Sequence, residues 1–258
     1  CRHVHCWHHQ LRKLMNLMKY TLAAGLLSCA TASYAIEETV NADITQLLQL
    51  RLGNTTVVEA EKTPAEGVYQ TKFGSKIAYL TGNGRYIIMG DMIDLQTQEN
   101  LTEFSRREVT KAVIEAVATD NLAVFHSAID ETKAVLNVFT DTSCGYCRKL
   151  HEEVPDLQKA GIEVRYFPFP RGGARGPGYQ DLKRVWCGKD KAKSMDVAKD
   201  ITKGDLPSAD CEQASFVDVG YDIGNQLGVT GTPALFTSEG EKIDGYVPAA
   251  KLIPMLLK

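Results

Sequence analysis

The chain has 258 residues, 44% of them hydrophobic, and a formal net charge of −3. That length suits one large or two small domains with a sustained core. The mildly acidic balance argues against a nucleic-acid-binding surface.

At the N-terminus, Met15 to Ala35 places Lys19 ahead of an apolar run from Tyr20 to Ala32, followed by Ser33-Tyr34-Ala35. This reads as a cleavable secretory signal, with an apolar part too short to span a bilayer. Residues 1–14 hold His3, His5, Cys6, His8 and His9. They resemble a metal-binding tract but are read as lying upstream of a start at Met15, and no function is assigned to them. Cleavage after Ala35 would leave 223 residues with 25 basic against 32 acidic side chains, net −7. No later stretch supplies the roughly 18 apolar residues of a membrane-spanning helix, so an acidic, soluble, exported protein is expected.

Asn41 to Leu52 has helical spacing in Ile44, Leu47, Leu48 and Leu52, with Gly53 as a stop. From Thr55 the pattern turns to short β-like runs: Thr55–Glu59, Val68–Phe73, Lys76–Thr81, Arg85–Met89 and Met92–Leu95. Gly82-Asn83-Gly84 predicts a hairpin turn, because Gly and Asn tolerate positive φ. A helix and a small antiparallel sheet of this size bury a marginal core and leave strand edges to cover, which self-association would solve. The next helix runs from Asn100 to Thr119, with Asn100 and Glu103 resembling a capping box. Its stripe of Val109, Val113 and Val117 is narrow, so it is expected to act as a connector with a partly free apolar face.

From Asn121 the pattern becomes α/β. Ala134–Phe139 reads as a central strand, and Leu150, Val154 and Leu157 mark a helix after it. Between them stands Thr140-Asp141-Thr142-Ser143-Cys144-Gly145-Tyr146-Cys147. Unpaired N–H groups at a helix start stabilise negative charge, so a thiol there loses its proton more easily and becomes a nucleophile. Cys144 is expected to be the exposed, acidic attacker, and Cys147 the shielded partner able to close a disulfide. A structural disulfide and half a zinc site are the plainer readings. Zinc would require a second close Cys/His pair, and the sequence has none.

Pro155 predicts a kink near His151–Pro155. Ile162–Phe169 is a second strand, and the glycine-rich stretch Arg171–Gly178 a mobile surface loop without P-loop spacing. Tyr179 to about Lys203 reads as one helix, and Phe216–Leu227 as another interrupted by Gly220 and Gly224. Thr232-Pro233 leads into the strand Ala234–Thr237, which pairs with Lys242–Tyr246, and a short helix near Pro248–Lys258 closes the chain. Of seven cysteines, Cys144, Cys147, Cys187 and Cys211 remain after cleavage. Four permit three pairings, and adjacency favours Cys144–Cys147 with Cys187–Cys211, in keeping with an oxidising compartment. The remaining histidines, His126 and His151, are assigned surface or packing roles.

The order strand, Cys-x-x-Cys helix, strand, helices, Thr-Pro before a strand, hairpin and closing helix resembles the thioredoxin fold. Over the whole chain after Ala35 the likeness is to the DsbC/DsbG family of periplasmic disulfide isomerases. The residues that carry it are Val138-Phe139-Thr140-Asp141 into Cys144-Gly145-Tyr146-Cys147, Lys149-Leu150-His151-Glu152, Val164-Arg165-Tyr166, Phe169-Pro170-Arg171, Trp186-Cys187 and Gly228 to Ala234. Tyr86-Ile87-Ile88-Met89-Gly90 and Met92 fit the family's dimerisation domain.

The resemblance implies an α+β architecture: a signal-bearing segment 1–35, an antiparallel-sheet dimerisation domain 36–99, a linker helix 100–120 and a thioredoxin-like catalytic domain 121–258 with a helical insertion. It further implies catalytic Cys144 and Cys147, and a cis bond before Pro233. Thr232, Pro233, Gly145 and Tyr146 would meet substrate, and Cys187–Cys211 would be structural. The expected activity is isomerisation, and reduction, of wrong disulfides in exported proteins, without metal, flavin or nucleotide. The implied partners are those misfolded proteins, a membrane reductant of the DsbD type and a second copy of the chain. Chaperone-like binding of unfolded chains would accompany it. Gly145-Tyr146 argues against a DsbA-like oxidase, which commonly has Pro-His there, and against a DsbG-like chaperone, which has Pro at the first of these positions. A holdase with structural cysteines is the alternative outside enzymology.

Overall fold

The structure, a computed structural model, describes residues 58–73 and 76–258. The expected leader, the helix at Asn41–Leu52 and most of the strand expected at Thr55–Glu59 lie outside these residues. The described chain divides into two units.

The first unit is an antiparallel sheet in the order β1 (Val58–Lys62), β2 (Val68–Phe73), β3 (Lys76–Thr81), β4 (Ile87–Ile88). β3 pairs with β4 through Tyr79 with Ile88 and Leu80 with Ile87. The Gly82-Asn83-Gly84 turn joins them, with Gly84 at φ 61° and Tyr86 O accepting from Thr81 N at 3.1 Å. Ala78, Tyr79 and Leu80 are buried, whereas Tyr86, Ile87, Ile88 and Met89 are all about half exposed or more. The expected strand at Met92–Leu95 is a single bridge, Ile93 to Asn100.

The second unit begins with α1 (Leu101–Glu115), capped by Asn100, whose side chain accepts from Glu103 N at 2.9 Å. Glu103 turns to Arg106 instead of completing the box. The expected stripe of Val109, Val113 and Val117 is displaced: Thr102, Thr110 and Ile114 are the buried positions. Ile114 joins a core cluster with Leu122, Phe139, Phe167 and Phe236, with Val113 and Val117 packed beside it. Lys111 pairs with Glu239 at 2.8 Å across the same contact. The helix thus packs on the central strands through Ile114, while Val109, Val113 and Val117 are only half-buried and Phe104 is 62% exposed, so the apolar face stays partly free as expected from sequence.

The main sheet has the order β5-β7-β6-β8-β9, with β5 (Ala123–Phe125), β6 (Ala134–Thr140), β7 (Ile162–Pro168), β8 (Ala234–Thr237) and β9 (Lys242–Ile243). β6 lies in the middle, parallel to β7 and antiparallel to β8. A sheet covered on both faces needs apolar residues at odd and even positions alike. Leu136 and Val138 point into one cluster and Phe139 into the other.

α2 (Gly145–Glu152) follows β6, then α3 (Val154–Lys159). Pro155 falls in the first turn of α3, where its missing N–H costs nothing. It therefore divides two helices, where a kink in one was expected. The single helix expected at Tyr179–Lys203 is also two, α4 (Tyr179–Trp186) and α5 (Lys191–Ala198), the second started by Asp190, which accepts from Lys193 N at 3.0 Å. By contrast α6 (Phe216–Gln226) runs unbroken through both glycines. A Cβ at Gly220 would lie 2.6 Å from Pro168, and one at Gly224 2.3 Å from Phe169. The glycines admit the helix to the sheet, outweighing their low helix propensity. α7 (Ala249–Leu256) closes the chain.

Candidate active site

Strand β6 ends at Thr140, and the next four residues make the turn that delivers Cys144 to the start of α2. Asp141 builds that turn. Its fully buried carboxylate accepts from Ser143 N (2.8 Å), Ser143 Oγ (2.7 Å), Arg171 N (2.9 Å) and Arg171 Nε (3.1 Å). Burial alone would raise the carboxyl's pKa, but these hydrogen bonds hold it below its ordinary value. A Cβ on Gly178 would lie 2.0 Å from Asp141 Oδ1, so only glycine admits the carboxylate there. The stretch Arg171–Gly178, expected to be a mobile surface loop, is tied at both ends to this turn. Its glycines serve close approach.

Cys144 is the N-cap of α2, in extended backbone (φ −88°, ψ 118°), and its sulfur accepts from Cys147 N at 3.4 Å. In its protonated form the thiol donates to Thr232 O at 3.2 Å. Interaction with the Cys147 thiol, the Cys147 N–H and the Arg171 charge together outweigh burial and bring Cys144 down to about 5. Cys147 moves the other way, raised by burial and by its neighbour, which takes the first negative charge. The expected asymmetry of charge is present. The expected asymmetry of exposure is not: Cys144 is 3% and Cys147 1% exposed. Cys144 lies beneath the Thr232 carbonyl, while Gly145 and Tyr146 beside it are open to solvent. Both cysteines are free thiols.

The Thr232–Pro233 peptide bond is cis, and Pro233 is buried at the start of β8. Thr232 Oγ1 is buried without a hydrogen-bond partner. Tyr146 stacks on Tyr246 with ring centroids 5.9 Å apart. Glu153, between α2 and α3, accepts from the Tyr246 hydroxyl and from Ala249 N, fixing that second ring. The structure therefore brings Cys144, Cys147, Gly145, Tyr146, Thr232 and Pro233 together. Cys187 and Cys211 form a disulfide of their own, with Cα atoms 5.8 Å apart.

Beneath Cys147 lies a polar layer that sequence reading missed. His151, one turn on, is buried, with Nδ1 3.0 Å from Tyr166 Oη and Nε2 3.0 Å from Asp196. Burial lowers its pKa against the pull of Asp196. Lys199, at the end of α5, is 1% exposed, and its Nζ donates to Thr140 Oγ1 at 2.9 Å and sits 5.6 Å from the Tyr166 ring centroid. The spacing Cys147 to His151 was the only available signal, since it sets both on one helix face. Nothing local marks Lys199 or Asp141–Arg171. Among the described residues no group of three or more His, Cys, Asp or Glu could hold a metal ion, and no helix is long and apolar enough to cross a membrane.

Residues 123–258 match a family described as a thioredoxin-like domain, and residues 32–103 match the N-terminal domain of disulfide bond isomerase proteins. The thiol:disulfide interchange protein DsbC of Salmonella typhimurium is 38% identical over 188 residues, 73% of this chain and 76% of that one. The Escherichia coli K12 DsbC is 35% identical over 200 residues (75% and 78%), and the Dickeya dadantii DsbC 32% over 244 residues (93% and 95%). With relatives 32–38% identical matched over three quarters or more of their own length, the chain belongs to the DsbC family of thiol:disulfide interchange proteins.

Proposed function

We propose that Cys144 is the attacking nucleophile of a disulfide isomerase and Cys147 the resolving thiol. The carrying observation is that Cys144 alone combines a helix N-cap position with a pKa near 5, so it is thiolate at neutral pH while Cys147 holds its proton. The thiolate attacks a wrong disulfide in an exported protein, bonds to one sulfur and releases the other as a substrate thiolate. A different substrate thiol then displaces Cys144, giving a new pairing and no net redox change. Alternatively Cys147 displaces the substrate, leaving it reduced and the enzyme oxidised. Substrate backbone would lie along Thr232 and Pro233, with Gly145 and Tyr146 offering an open rim.

The reading extends to the partners and the compartment. The exposed apolar edge formed by Tyr86, Ile87, Ile88 and Met89 supports a homodimer built through β4, since such an edge is a template for strand pairing. Two catalytic units on a shared sheet would hold a misfolded chain while it rearranges, which is the chaperone-like part of the reading. Residues 1–35 as leader, 36–99 as dimerisation domain, 100–120 as linker and 121–258 as catalytic domain complete it. The protein would work in the periplasm, kept reduced by a membrane reductant of the DsbD type.

Refolding of scrambled ribonuclease tests the reading. The protein should restore ribonuclease activity and Cys144→Ser should not. Replacing Ile87 and Ile88 by Lys should give a monomer that still reduces insulin but isomerises poorly. Full isomerase activity in Cys144→Ser, or in a monomer, would contradict it.

A further inference from the structure

The polar layer under the thiols contains a charge that hydrogen bonding alone does not account for. An ammonium carries three donors, and burying one without a counter-charge is costly. Lys199 is fully buried, its hydrogen bond goes to a neutral hydroxyl, Thr140 Oγ1, and no carboxylate pairs with it among the described residues. The charged and titratable groups that act on it are Cys144 at the cap of α2, Cys147, Arg148 and His151 within α2, and Asp141 from the turn. The Tyr166 ring faces it from β7, and Asp196 on its own helix is engaged with His151. Asp141 already holds Arg171 and Ser143, and Arg148 reaches toward Asp200 at 3.5 Å. The thiols are the counter-charge that remains.

We propose that Lys199 is the proton partner of Cys147 in the resolving step, an assignment that rests on the roles given above to the two cysteines. In the resting dithiol, the Cys144 thiolate balances the Lys199 ammonium. Once Cys144 is tied into a mixed disulfide that negative charge is gone, and burial pushes Lys199 to release its proton to solvent. The neutral amine, whose resting hydrogen bond is to Thr140 Oγ1, then takes the proton from Cys147 Sγ through a bridging water. The Cys147 thiolate attacks Cys144 Sγ, the Cys144–substrate S–S bond breaks, and its electron pair leaves on the substrate thiolate. The dithiol has been oxidised by two electrons and the substrate disulfide reduced by two. The buried pair passes from thiol and amine to thiolate and ammonium without change in net charge, where Cys147 alone would have to bury an unbalanced anion. Burial pulls Lys199 down to about 8 against the negative charge that the two thiols share, so the amine is accessible near neutral pH. The resolving step chooses between isomerisation and reduction, so Lys199 sets how long a substrate is held before it is discharged.

Two measurements test this. In the unaltered protein, an NMR titration of the Lys199 side chain should give a midpoint about one unit or more higher in the dithiol than in the disulfide form, since coupling between two sites is reciprocal. Equal midpoints would overturn the proposal, and this readout needs no variant. Secondly, glutathione is attached to Cys144 and its release by Cys147 is followed against pH in the unaltered protein, Lys199→Met and Lys199→Arg. Both variants should release it about tenfold more slowly at neutral pH and lose the inflection that the unaltered protein shows below pH 8, because methionine carries no charge and arginine keeps its proton. Alkylation of Cys144 should keep an acidic midpoint in both. Unchanged release in Lys199→Met, or full rescue by arginine, would overturn the role of Lys199 alone. If Cys147 were alkylated before Cys144 in the unaltered protein, the underlying assignment would fall instead.

Discussion

At the residue scale, the site works by dividing one negative charge unequally between two thiols 3 residues apart in sequence. The pH dependence follows from Cys144. Its folded pKa, about 5, lies below the ordinary thiol value near 8.5. The resulting stabilisation of the reduced form is fully present above the unfolded value and is lost as pH falls through the folded one. At pH 7 it amounts to about 3 kcal/mol, so the margin of the dithiol over the disulfide form should shrink between pH 7 and pH 5. Paired chemical denaturation of the two forms measures it. Arg171 carries part of this charge balance and also holds buried Asp141. Arg171→Met should move the Cys144 alkylation midpoint upward. It should also destabilise the protein by about 1–2 kcal/mol, since Arg171 is 46% exposed and Asp141 keeps its three other donors. A variant with unchanged stability would mean that the Ser143 and backbone contacts alone hold the carboxylate.

Elements were legible where their cause is local. Asn100 announces its helix through its own side chain, Gly82-Asn83-Gly84 its turn, and the Cys-x-x-Cys spacing a thiol at a helix start with a second one turn in. What was not legible depends on chain segments that meet only after folding. Asp141 and Arg171 are 30 residues apart, and Thr140 and Lys199 59 apart. β6 is the strand from which both contacts start, and no window of sequence contains either pair. Helix α6 shows the same limit in the other direction. Gly220 and Gly224 read as breaks, because propensity is all a sequence displays, and the sheet that needs them small lies elsewhere in the chain. Gly224→Ala should therefore cost about 1–3 kcal/mol by crowding Phe169, although alanine in an open helix would stabilise by up to about 1 kcal/mol. A thermal melt with a raised midpoint would refute the packing role given to that glycine.

At the scale of the whole molecule, the chain combines a reactive dithiol with devices that do no chemistry. The Cys187–Cys211 disulfide closes a loop with a separation of 24 residues. Replacing both cysteines by Ala should lower stability by about 3 kcal/mol and leave the Cys144–Cys147 potential nearly unchanged, as a redox titration followed by mass can establish. Helix α1 is bound to the catalytic strands through Ile114. A fragment starting at Asn121 should therefore melt lower than one starting at Gly90, since it strips that residue from the core. The central claim is that Cys144 attacks substrate and Cys147 releases it, and the most direct test is to trap the intermediate. Cys147→Ser, mixed with a scrambled disulfide protein and quenched in acid, should accumulate a covalent complex whose peptide map joins substrate to Cys144, whereas Cys144→Ser should accumulate none. A complex joined through Cys147, or equal trapping in both variants, would contradict the account.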